Sequence, residues 1–97
     1  MDYVALLTTA FTTPVPAERG IGCGRVYVAV DKEHAKGIKA AAKKLGKIFQ
    51  GRSHYGASNT IYIGYDNCDG NALARGTFVV ATLKAAGIGC YRDENGD

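Results

Sequence analysis

The run Arg25-Val26-Tyr27-Val28-Ala29-Val30 passes without a linker into a helical pattern that Asp31 opens and Gly46 closes. This junction restricts the chain to folds in which strands lie against helices. In an extended segment Val26, Val28 and Val30 share one face, and Tyr27 and Ala29 take the other. After Asp31, a helix N-cap type, Ala35, Ile38, Ala41, Ala42 and Leu45 recur at spacings of three and four and form an apolar stripe. Gly46 stands where a helix ends in a left-handed residue. A second helix of this kind follows the turn Asp66-Asn67-Cys68-Asp69-Gly70-Asn71. Its stripe is Ala72, Gly76, Val79, Val80, Leu83 and Ala86, and Gly87 ends it. Gly76 within it costs up to about 1 kcal/mol relative to alanine, which implies close helix–sheet packing there.

The remaining segments read as strands and connections. Lys47 to Arg52 is a short strand, Ser53 to Asn59 a connecting loop, and Thr60 to Tyr65 a strand with Ile61 and Ile63 on one face and Tyr62 on the other. Gly64 is a candidate bulge. Ile88 to Arg92 closes as a strand, and Asp93 to Asp97 reads as a frayed acidic tail. From residue 24 onward the order is β-α-β-β-α-β, the split βαβ or ferredoxin-like arrangement of the α+β class, with two helices on one sheet face. Asp2 to Thr9, rich in β-branched and aromatic residues, is expected to add an N-terminal strand. Pro14, Pro16, Gly20, Gly22 and Gly24 make the stretch from Thr12 to Gly24 a long loop. A chain of 97 residues has room for one core. The expected organisation is a single domain over 1–97: strand and Gly/Pro loop in 1–23, core in 24–92, tail in 93–97.

With 46% hydrophobic and 22% charged residues, the chain lies outside the composition of disordered proteins. No apolar run approaches the roughly 20 residues that cross a bilayer, and Met1-Asp2-Tyr3 lacks a basic leader region. A cytoplasmic protein without a membrane partner is expected. Cys23, Cys68 and Cys90 are odd in number and contain no C-x-x-C pair, so they read as reduced, partly buried thiols. Charge is distributed unevenly. Residues 19–52 hold nine of the twelve basic side chains and only Asp31 and Glu33, whereas 66–97 holds five acids against Arg75, Lys84 and Arg92.

Two surfaces are candidates for binding. Lys32, Lys36, Lys39 and Lys43 recur every three or four residues and form one row opposite the apolar stripe, with Lys44 and Lys47 nearby. Like charges at this spacing slightly destabilise a helix, and attraction to phosphates or to an acidic protein surface gives the row a use. The second surface is the sheet face away from the helices, where Tyr27, Tyr62 and Tyr91 are expected. The first and third core strands are neighbours in this arrangement, so Tyr27 and Tyr62 lie side by side. This resembles the RNA-recognition motif, whose central strands present rings on which bases stack. Val26-Tyr27-Val28-Ala29-Val30 looks like its first short motif. Asn59 to Tyr65 lacks the K/R-G-F/Y-G/A-F pattern of the second, so the resemblance is one of topology. Arg25 and Arg52 complete the candidate partner-binding set.

Other motifs carry less. Arg19-Gly20-Ile21-Gly22-Cys23-Gly24 looks like the phosphate loop of N-acetyltransferases, but a strand follows it where that family has a helix, so it reads as a flexible loop. The turn at Asp66 to Gly70 does not fit a calcium loop, and no cofactor or metal is expected. His34, in a first helical turn, is expected to be exposed. The function these readings give is a small non-catalytic binding protein, an inhibitor or adaptor acting on a nucleic acid or a nucleic-acid-handling complex. Phage-encoded inhibitors of bacterial defence, such as anti-CRISPR proteins, match it in size and charge. The alternatives are a small enzyme built on Cys68 or Cys23 with His54, and a homodimer joined through the sheet face.

Overall fold

The computed structural model describes residues 1–18 and 23–94, so residues 19–22 of the glycine loop and residues 95–97 of the tail lie outside the described residues. In chain order the elements are α1 (Tyr3–Thr12), β1 (Gly24–Val30), α2 (Lys32–Lys44), β2 (Phe49–Arg52), β3 (Ser58–Asp66), α3 (Asn71–Ala85) and β4 (Cys90–Glu94). The strands form one antiparallel sheet in the order β2-β3-β1-β4. The architecture is a small α+β domain with a four-stranded sheet and, among the described residues, three helices.

Alternation along the strands divides the sheet into two faces. Val28 and Val30 of β1 and Ile61 of β3 meet Ile38, Ala41 and Ala42 of α2 and Val79 and Leu83 of α3 in a single core. Val26, on the same face, abuts Gly76 of α3. Both helices end at the expected glycines, which take the left-handed φ of a C′ residue, 72° at Gly46 and 84° at Gly87. The amides that follow return to the helix, Lys47 to the Ala42 carbonyl and Ile88 to that of Leu83.

The first segment is a helix, not a strand. Its β-branched residues favour extension only weakly, and period decides: Tyr3, Leu7, Ala10 and Phe11 fall on one side of a helix, and Leu7 and Ala10 are wholly buried. The Asp2 carboxylate caps α1 by accepting from the Ala5 amide at 3.0 Å. The Thr8, Thr12 and Thr13 hydroxyls donate to carbonyls four residues back, which satisfies them within the helix. α1 packs against α2 and α3. Tyr3 lies over Gly37, whose missing side chain leaves room for the ring, and its hydroxyl meets His34 Nδ1 at 2.8 Å. His34 is therefore half-buried rather than exposed.

The segment after α1 is laced down. Arg75 Nη1 donates to the carbonyls of Ala10 at 2.8 Å and Thr13 at 2.7 Å, the Glu18 amide donates to the Gly70 carbonyl, and the Glu18 carboxylate pairs with Arg92 and accepts from the Thr77 hydroxyl. Hydrogen bonds from Thr77 and Arg92 hold the Glu18 carboxyl below its ordinary pKa.

Two further expectations are corrected. Cys23 and Cys68 form a disulfide with Cα atoms 4.7 Å apart, and only Cys90 is a free, buried thiol. Their separation of 45 residues hides the pairing, which exists only because β1 starts beside the turn that leaves β3. Asp93 and Glu94 belong to β4, opposite Tyr27 and Val26, and are not part of a tail. At α3 the N-cap is Gly70, which has no side chain to cap with. Asp66, from the end of β3, accepts from the amides of Gly70 at 3.1 Å and Leu73 at 3.0 Å. Among the described residues no helix is long and apolar enough to cross a membrane.

Candidate binding surfaces

The helix-free face of the sheet carries the tyrosines. β1 pairs with β3 so that Tyr27 stands opposite Tyr62, and the ring centroids are 5.4 Å apart in an edge-on arrangement. The register shifts between Val26 and Tyr27, because β3 holds an extra residue near Gly64. That bulge, expected from the glycine, turns Tyr65 onto the helix-free face opposite Arg25. Tyr91 lies beside Ala29 on the same face.

This face is not open. The turn between β2 and β3 folds back across the sheet. Ser53, at the end of β2, donates to Asp93 of β4 at 2.6 Å, and its hydroxyl also accepts from the amides of Tyr55 and Ala57. Tyr55 sets its ring edge-on to Tyr27, with centroids 5.9 Å apart, and its hydroxyl accepts from the Arg25 amide at 3.0 Å. Asn59, at φ 57°, and Gly56, at φ 96°, supply the left-handed bends. The result is a strap that buries Tyr27, leaving it 2% exposed, and half-buries Tyr62. Tyr65 and Tyr91 remain exposed at the margins, Arg25 is exposed beside the strap, and Arg52 is exposed at its base with Nη1 donating to the Gly56 carbonyl. Tyr27 has no ring face free for stacking, and Tyr91 stands apart from the Tyr27–Tyr62 pair. Sequence reasoning misses Tyr55 and the strap; Asn and Gly in the loop signal a tight turn but not its direction.

The second surface lies on the other side of the sheet. Lys32, Lys36, Lys39 and Lys43 are all exposed along the outer side of α2, and Lys44 and Lys47 continue the patch. Glu33 is the only acid in the helix. Among the described residues the ion pairs are His34–Glu33, Arg92–Glu18 and Arg92–Glu94, none of which uses a lysine. Lys47 Nζ stands 4.6 Å from the centre of the Phe11 ring. None of the six lysines is therefore paired with a carboxylate among the described residues, and Lys43 and Lys44 sit favourably at the carboxyl end of the helix dipole. The lysine row and the tyrosines sit on opposite sides of the sheet and do not form one site.

The chemistry proposed for a cysteine enzyme has no free nucleophile at Cys23 or Cys68, since both sulfurs are bonded. Burial raises the Cys90 thiol above its ordinary pKa. Compared with known protein families, with curated proteins and with solved structures, the chain matches none.

Proposed function

We propose that this chain is a small non-catalytic binding protein, an inhibitor or adaptor that engages an anionic surface of a nucleic-acid-handling complex through α2. The observation that carries the reading is the row of exposed lysines without a carboxylate partner among the described residues. Like charges at this spacing weaken the helix by a few tenths of a kcal/mol per pair, a cost that an anionic partner removes. The tyrosine face is the weaker candidate because the strap occupies it. The finer fold belongs to the same reading: the βαββαβ order after Gly24, with β1 and β3 adjacent and β2 and β4 at the edges, supports a ferredoxin-like core. A cytoplasmic placement loses the support of reduced thiols once Cys23 and Cys68 are paired, since disulfides persist chiefly in oxidising compartments.

The test is capture from nuclease-treated and untreated lysates with wild type and a Lys36/Lys39/Lys43→Glu variant. The expected result is a complex that survives nuclease and is lost with the variant. Equal recovery by both proteins would sink the assignment to α2.

A further inference from the structure

Beside the lysine row, α1 and α2 leave a groove of about 600 Å³ lined by Met1, Val4 and Ala40 together with the charged side chains of Asp2, Lys43 and Lys44. We infer that this groove receives an acidic amphipathic helix of a partner protein, whose apolar stripe lies on Met1, Val4 and Ala40 and whose carboxylates meet Lys43 and Lys44. The inference rests on the α2 reading and names the anionic surface as protein.

Three features favour that occupant. Ala40 is exposed and presents nothing larger than a methyl group beside Met1 and Val4, which lets a third helix approach there. The floor is apolar, with Met1 67% exposed and Ala40 also facing solvent. A phosphate backbone gains nothing from such a floor, whereas an amphipathic helix buries its stripe there. The rim is cationic toward the carboxyl end of α2, and complementary charge fixes the partner's sign. A second copy of this chain does not supply it: the exposed side of α1 is Ala5, Thr8, Thr9 and Thr12, and that of α3 includes Asn71, Thr77, Ala81 and Lys84.

Fluorescence anisotropy tests this with three labelled probes: an amphipathic Leu/Glu peptide of about 15 residues, long enough to hold a helix; a scrambled peptide of the same composition; and a short DNA duplex. The ordered peptide is expected to bind wild type about tenfold more tightly than the scrambled one, a difference of about 1.4 kcal/mol. Ala40→Arg fills the groove while adding positive charge at an exposed position. It is expected to erase the tenfold preference and leave the scrambled peptide and the duplex bound at least as tightly as before. Equal binding of the two peptides, an unaffected Ala40→Arg protein, or tighter binding of the duplex than of the ordered peptide each overturns the groove assignment. Failure of the parent reading looks different: Lys36/Lys39/Lys43→Glu would then leave all three probes bound as in wild type.

Discussion

Asp66 is a carboxylate with 1% of its surface exposed, and it is tolerated because the amino end of α3 needs an acceptor that its own N-cap, Gly70, lacks. Burial by itself would raise its pKa, but hydrogen bonds from the amides of Leu73, Gly70, Cys68 and Ala72 outweigh burial and hold the group below the ordinary carboxylate range. A carboxyl depressed in the folded state contributes stability that is present above its unfolded pKa, near 3.9, and is lost as pH falls through the folded value. Urea unfolding of Asp66→Ala at neutral pH is expected to show a loss of about 1–3 kcal/mol. Asp66→Asn, which keeps one acceptor oxygen, should lose less. Both variants should show a flatter stability profile than wild type below about pH 4. In the sequence this residue is only one of several capping types in a turn. That it reaches forward seven positions to Leu73 follows from the bulged end of β3, which spacing alone does not report.

Among the elements, those with a strict period and a glycine stop are legible in the sequence: β1, α2, α3 and the Tyr27–Tyr62 adjacency all stand where the pattern puts them. α1 escapes a reading by composition, because three threonines and a valine look extended; the signal that identifies it is the helical spacing of Tyr3, Leu7, Ala10 and Phe11. Its role in the core makes a prediction: Leu7→Ala is expected to cost about 2–5 kcal/mol in chemical denaturation, as for any large aliphatic residue removed from a packed interior. The strap is hidden for a different reason. Its direction is set by one hydroxyl, Ser53, reaching an acid on the far edge strand, and no local pattern encodes that meeting. Tyr55→Ala should loosen it without unfolding the sheet. Hydrogen exchange should then show faster exchange at the amide of Arg25, with the helix amides unchanged; protection equal to wild type at Arg25 would mean that the strap holds without Tyr55.

At the scale of the whole molecule, the disulfide is the largest single correction, and it acts on the unfolded chain more than on the folded one. Linking residues 45 positions apart restricts the denatured ensemble by about 4 kcal/mol on the chain-entropy account. Reduction is accordingly expected to lower the urea midpoint by the equivalent of up to about 4 kcal/mol, and a Cys23→Ser/Cys68→Ser protein should match the reduced wild type. Neither should disturb the lysine patch, because both cysteines lie outside α2, Cys23 just before β1 and Cys68 just after β3. The bond also changes what a protease would leave behind. β1, α2, β2 and β3 all lie between the two sulfurs, so this stretch is a closed covalent ring, with α3 and β4 following Cys68 outside it. Exposed backbone in that ring includes the turn at His54 and Gly56. A single cut there opens the ring without dividing the molecule: on a gel the nicked chain should run as one species, and separate into two fragments only after a reductant is added.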